Sequence, residues 1–316
     1  MLRELKDKEY IPPKNMLKLF IKGGFVLSKV LIKNMGQLKK ARKERIEYIP
    51  PKRNYELPEY KPGMKVIKSN EKYLRPTLYC NPYAKEIIAL ANHLGAFEKD
   101  PYEYARDAFE FVKRNLILQI MPLDGVVPTL KRGYGTCLHK ISLFIALCRA
   151  AGLKARYKLY AIAMIQQWYE TFVEIDPLMR EWYDAMGYFM LHGEGEVYID
   201  GKWIVADVGP TPERQAATGI PITKFGEDSI GIWFQAIPGS IMRVESLPLG
   251  LGTASKLLME KISPASVAKM NNNILGQVEK GRKILQEIGE EEYNRRVRKG
   301  YKMPTIELER KSIIFE

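Results

Sequence analysis

Cysteine and histidine are both scarce, with three of each in 316 residues. Cys80, Cys137 and Cys148 are too few for a disulfide framework, so a reducing compartment, the cytoplasm, is the expected location. No Cys or His pair has metal-ligand spacing, which argues against a structural zinc site, and nothing in the sequence calls for a cofactor. Long apolar runs are missing too. The most hydrophobic early stretch, residues 17–31, carries Lys18, Lys22, Lys29 and two glycines, and is too short and too charged to span a bilayer. The first ten residues lack the apolar h-region of a signal peptide.

Positive charge is what the chain has in excess. The net charge is +13, and residues 1–62 hold 16 Lys/Arg against 7 Asp/Glu, so +9 of it sits there. An acidic partner (nucleic acid, anionic lipid or an acidic protein) is one reading of that segment, and a solubilising Lys-rich arm is the plainer one. As a helix, residues 17–31 gather Leu17, Phe20, Ile21, Val26, Val30 and Leu31 on one side, suited to a membrane surface or, more commonly, to docking on a core. The motif Glu-Tyr-Ile-Pro-Pro-Lys at residues 9–14 recurs at 47–52, and each Pro-Pro pair ends helices and keeps the chain extended.

Residues 1–63 are accordingly expected to be a basic appendage, 64–260 the main domain and 261–316 a helical extension. Within the main domain, helices are expected at 81–94 and from Asp100-Pro101, an N-cap with Pro at N1, to about Asn115. Residues 116–132, with Pro122, Asp124-Gly125 and Pro128, read as a loop or short strand. Strands are expected at 230–234 and 241–244. Ser263-Pro264 opens a helical stretch to about residue 299, interrupted near Gly276, Gly281 and Gly289, and residues 306–315 suit an edge strand.

The organising stretch is Gly133-Tyr134-Gly135-Thr136-Cys137. Behind it Leu138, Ile141, Phe144/Ile145, Leu147/Cys148 and Ala151 recur at three- and four-residue steps, the period of a buried helix face, and Gly152 suits its end. Cys137 therefore falls at a helix N-terminus, where free N–H groups and the positive dipole end favour a thiolate. A small apolar filler is the alternative for any such cysteine; Cys148 fits the stripe and belongs in the core. His139, about 200° round the helix from Cys137, makes a poor partner for it.

Residues 153–160 alternate in the strand period with Lys154, Arg156 and Lys158 on one side. Further on, 192–199 and 202–207 flank Asp200-Gly201, a two-residue hairpin signal. That turn pairs Ile199 with Lys202 and Tyr198 with Trp203, and puts His192 and Asp207 on one face as diagonal neighbours, roughly 7–8 Å apart along the backbone. The same register sets Glu194 against Asp207. Such a like-charge pair requires an intervening cation, a bulge, or a place for Glu194 in the substrate site.

These three blocks, Gly-Tyr-Gly-Thr-Cys137 through Gly-Leu-Lys-Ala-Arg156, His192 through Trp203, and Asp207, resemble the transglutaminase-like superfamily over about residues 100–212. The resemblance implies an α+β fold with a papain-like core, the nucleophile helix packed on an antiparallel sheet. It further implies a thiol enzyme with Cys137 as nucleophile, His192 as base and acid, and Asp207 orienting the imidazole. Tyr134 and Gln119 are weak candidates for the second oxyanion donor beside the Cys137 N–H, and Glu194 and Trp203 for substrate contact. Cys137 and His192 are 55 positions apart. The surplus at 162–191, with Trp168, Tyr169, Trp182 and Tyr183, reads as an insertion near the cleft, a lid or extra packing.

Hydrolysis of an amide or isopeptide bond in a protein or peptide is the expected activity. Acyl transfer to an amine is the alternative. A non-catalytic binding module working through the basic N-terminal segment is the competing class.

Overall fold

The computed structural model describes residues 14–36, 39, 44–162, 165–185, 190–237 and 240–303. Residues 9–13 of the first Pro-Pro motif and the strand expected at 306–315 lie outside the described residues. Helix α1 (Lys14–Lys33) comes first, followed by α2 (Lys85–His93) and α3 (Pro101–Asn115). Strand β1 (Ile117–Leu118), helix α4 (Val126–Arg132) and strand β2 (Tyr134–Gly135) lead into α5 (Cys137–Ala150) and β3 (Ala155–Ile162). Helices α6 (Gln166–Phe172) and α7 (Pro177–Ala185) precede the hairpin of β4 (Met190–Ile199) and β5 (Lys202–Ala206). Then come α8 (Pro212–Ala217), β6 (Met242–Val244), α9 (Leu251–Lys256), a π-helical turn (Leu257–Ile262), α10 (Pro264–Ile288) and α11 (Glu290–Gly300).

The fold is α+β, built on a four-stranded antiparallel sheet in the order β5-β4-β3-β6. The run His192-Gly-Glu-Gly-Glu196 explains how helix and sheet meet. Successive strand residues face opposite sides, so Gly193 and Gly195 look toward α5. A Cβ on Gly193 would lie 2.6 Å from Leu159 and 3.3 Å from Ile141, and one on Gly195 would lie 2.6 Å from Phe144. The glycines let α5 press against β4, and Ile141, Phe144, Leu147 and Cys148 fill the core beneath it with Tyr104, Phe109, Tyr157 and Val197.

The opposite sheet face pairs Arg156 with Glu196, Lys158 with Glu194 and Tyr160 with His192. A second core covers the end of that face nearest His192. There Trp168 and Phe172 of α6 meet Trp233, Phe234, and Ile274 and Val278 of α10. Within 162–191, α6 thus contributes packing.

Three expectations change. Residues 116–132 contain α4, which tolerates Pro128 because the first helical turn needs no N–H there. Residues 230–234 form a turn at Gly231, φ 89°, which frees Trp233 and Phe234 to enter the second core. The C-terminal stretch runs unbroken through Gly276 and Gly281 and stops at Gly289, φ 76°.

Helix α1 docks on α7 through Glu181, which takes Lys33 at 3.2 Å and Asn34 at 3.1 Å. Residues 44–62 lie along the main domain. Tyr48 donates to Gln119 Oε1 at 2.6 Å, Tyr55 to the Leu130 carbonyl at 2.6 Å, and Asn272 to the Glu47 carbonyl at 2.9 Å. No described helix is long and apolar enough to cross a membrane.

Candidate active site

Cys137 is the first residue of α5, half-buried where the two cores meet. Gly135 lets the chain turn into the helix, since a Cβ there would sit 2.7 Å from His139. His139 folds back under that turn. Its Nδ1 accepts the Thr136 N–H at 3.0 Å and its Nε2 lies 3.1 Å from the Asp124 carboxylate. Burial holds its pKa below the ordinary value, against the pull of Asp124, so the ring is a neutral helix cap, not a partner for the thiol.

The hairpin has the register that Asp-Gly requires, from Ile199↔Lys202 to Gly195↔Ala206, with Asp200 and Gly201 at φ 47° and 79°. Past Ala206 the ladder ends and the chain turns, the Val208 N–H bonding the Ala206 carbonyl at 3.1 Å. Asp207 thereby points at His192, with Oδ1 3.8 Å from Nε2, an ion-pair contact longer than a hydrogen bond. Gly209 closes the group. A Cβ on it would lie 3.1 Å from His192 Cε1, 3.2 Å from Asp207 Oδ1 and 3.6 Å from Cys137 Cβ.

Asp207 is fully buried and densely held. Its Oδ1 accepts the Gly209 N–H at 3.1 Å, and its Oδ2 accepts the Thr223 hydroxyl at 3.3 Å and that of Ser229. The Lys113 ammonium donates to its carbonyl at 3.0 Å. Burial works to raise the carboxyl pKa, but His192, Lys113 and Ser229 outweigh it and hold Asp207 ionised, well below the usual carboxylate range. Burial likewise opposes charge on His192. Asp207 and then Cys137 reverse this and lift its pKa to about 10. The Asp207 carboxylate thus favours the charged, imidazolium form of His192.

The cation that Glu194 requires is Lys158, whose Nζ lies 2.8 Å from Glu194 Oε2 and 2.7 Å from Asp228. The Ser229 N–H donates to Glu194 Oε1 at 2.9 Å. Burial, and then Asp207, raise the Glu194 pKa from 4.5 to about 7. Between those values the folded protein binds the proton that the unfolded chain releases, so stability falls as pH rises from 4.5 to 7. Glu194→Gln removes that term. Its melting temperature relative to wild type is expected to climb across this interval, and parallel melting curves would contradict the assignment.

Of the other expected site residues, Gln119 stays level with the turn before Cys137, its N–H on the Gly135 carbonyl at 2.9 Å and one Nε2 proton on the Leu118 carbonyl at 2.6 Å, while Tyr134 and Trp203 lie elsewhere. Tyr134 lies under Arg132, 5.7 Å from its guanidinium. Trp203 is four residues from Asp207 along the strand, roughly 13 Å, stacked beneath Arg156 at 3.8 Å and away from Cys137. Sequence reasoning put Trp168 near the cleft but missed Gly209, Ser229, Lys113, and Trp233 and Phe234, which complete the aromatic wall around His192. Val208-Gly209-Pro210 reads only as a strand breaker, and Gly209 is legible as a site residue only once the turn is built.

These features define an α+β protein with a helix-borne cysteine facing a strand-borne histidine and an aspartate in the turn after the next strand. Residues 88–208 match the family model described as Transglutaminase-like superfamily. A solved structure from Cytophaga hutchinsonii, there called a "putative cysteine protease", is 22% identical with a TM-score of 0.32. The likeness covers 43% of this chain and 40% of that one, so the chain spans well under half of its length. A search of curated proteins finds no match.

Proposed function

We propose that the protein is a cysteine hydrolase of the transglutaminase-like type, cleaving an amide or isopeptide bond in a protein or peptide through a thioester. His192 takes the Cys137 proton, and the sulfur adds to the carbonyl carbon. The Cys137 N–H steadies the oxyanion, with Gln119 as second donor, its amide oriented by Tyr48. Collapse expels the amine, which leaves with the proton from His192. A water, deprotonated by His192, then attacks the thioester, the acid departs and the thiol is restored. Asp207 holds the ring and stabilises its charge in both halves.

One observation carries this reading: a single added methyl at Gly209 would press on His192 and Asp207 and touch Cys137 at once. The test is the pH dependence of iodoacetamide labelling at Cys137, in wild type and in His192→Ala. A midpoint well below the free-thiol value of about 8.5, moving up to it in the variant, is the expected result. A wild-type midpoint at the free-thiol value would sink the proposal.

A further inference from the structure

Arg214 is a buried cation that neither the fold nor the reaction above explains. It sits in the first turn of α8, behind the cap in which Thr211 Oγ1 accepts its N–H at 3.3 Å, and its side chain is 1% exposed. The guanidinium lies against two rings of α6, 4.6 Å from Trp168 and 5.0 Å from Phe172. Its Nε donates to Gln277 Oε1 at 3.1 Å, and Gln277 in turn donates to Thr171 Oγ1 at 2.7 Å, so the fork is fixed in direction. Nη2 has no hydrogen-bond partner among the described residues. No described carboxylate lies within ion-pair distance of Arg214.

A buried guanidinium without a counter-ion costs several kcal/mol of desolvation. Structural arginines in this protein avoid that cost: the buried Arg149 places its fork on the carbonyls of Arg75, Ala155 and Glu245. Arg214 does not. Burial lowers its pKa to about 9. The Trp168 ring it lies against stands 6.0 Å from His192, and Cys137 packs on the same core.

Its surroundings present further donors. Trp168 stands 4.9 Å from Trp233 and 6.0 Å from His192, ring to ring, and Trp233 stands 6.3 Å from His192. The Nε1 atoms of both indoles are buried without partners among the described residues. The nearby carboxylates are already engaged: Glu194 and Asp228 hold Lys158, and Asp207 holds His192. An open guanidinium nitrogen and two indole N–H groups, with no acceptor among them, suit a planar anion with two oxygens.

We propose that Arg214, with the Trp168 and Trp233 indoles, forms a subsite beside Cys137 for a carboxylate on the substrate, so that the preferred acyl donors are acidic, with the carboxylate close to the scissile carbonyl. The proposal rests on Cys137 being the nucleophile and adds the specificity of its site. Held by two rings and Gln277, the fork is preorganised, and the bound carboxylate supplies the missing counter-ion. Binding to a site left uncompensated in the free protein discriminates strongly against the uncharged amide analogue.

The test compares iodoacetate with iodoacetamide, reagents that differ by a carboxylate in place of an amide. In both, the Cys137 sulfur bonds to the methylene carbon, the carbon–iodine bond breaks and iodide leaves with the electron pair. Rates are read by mass spectrometry on the peptide that contains Cys137. The ratio of the iodoacetate to the iodoacetamide rate is expected to be at least about tenfold higher in the folded protein than in urea, and to fall about tenfold in Arg214→Gln. Arg214→Lys, which keeps the charge but loses the fork, is expected in between. His192 is common to these proteins, so its charge cancels in the comparison between them. Should Arg214→Gln not fold, protection of wild-type Cys137 from iodoacetamide by glutarate but not by glutaramide supports the subsite, and equal protection overturns it. A ratio that is the same folded and unfolded, or unmoved by Arg214→Gln, also overturns it. A free-thiol iodoacetamide midpoint sinks the nucleophile reading instead. Silence of Cys137 toward both reagents sinks the two together.

Discussion

Asp207→Asn is expected to slow iodoacetamide labelling of Cys137 at pH 7 by about 10- to 100-fold while leaving the protein folded. The substitution keeps the volume and the Gly209 contact but removes the anion facing His192, and puts an amide NH2 where Oδ2 accepts the Thr223 and Ser229 hydroxyls. Burial by itself lowers the imidazole pKa, and Asp207 is the largest influence raising it to about 10. Without that carboxylate the proton returns from the ring to the sulfur across the neutral range. The labelling midpoint should rise toward the free-thiol value of about 8.5. Circular dichroism and the melting temperature separate this loss from misfolding. An unchanged rate at pH 7 would show that the Asp207 charge does not act on the pair.

Gly281→Ala is expected to destabilise the protein by about 3 kcal/mol or more, lowering the melting temperature by roughly 5–10 °C. The reason is local. A Cβ at this position would overlap the backbone carbonyl of Glu213, with the Glu213 Cα only 2.9 Å away. Flexible side-chain ends can yield to such a contact; a helix backbone cannot. The clash forces α8 away from α10 and carries Arg214 with it, breaking its 3.1 Å bond to Gln277. Gly276, where an added Cβ meets nothing within 4 Å, is the control. Gly276→Ala should be neutral or slightly stabilising, because alanine is the better helix former. Equal melting temperatures for the two variants would contradict this packing.

These two glycines show where a sequence stops being legible. Both lie inside a helix, and a helix interruption is what composition alone suggests at each. Only the packing against Glu213 separates them, and that contact joins positions 68 apart in the chain. Local signals fared better. Asp200-Gly201 sets the hairpin register, because few two-residue turns match strand twist. Pairing arithmetic from that turn brings His192 and Asp207 to one face, where they stand 3.8 Å apart. The same arithmetic exposed the conflict between Glu194 and Asp207. Its resolution, Lys158, belongs to the basic alternation of β3, but no rule available from sequence says that β3 lies beside β4 in the register that pairs the two. The rest of the aromatic wall and Arg214 were illegible because the second core draws on α6, the 233–234 turn and α10 together.

Helix α10 also reaches toward the nucleophile loop and residues 44–62. Asn271 accepts the Ile120 N–H at 2.6 Å and donates to its carbonyl at 3.0 Å, and its neighbour Asn272 holds the Glu47 carbonyl at 2.9 Å. During synthesis, then, the earliest part of this wall waits for a helix made some 225 residues later. Closing such a long loop is slow relative to local helix formation. Cys137, His192 and Asp207 all precede α10 in the chain, so during synthesis the proposed catalytic residues emerge before the helix that clamps their surroundings.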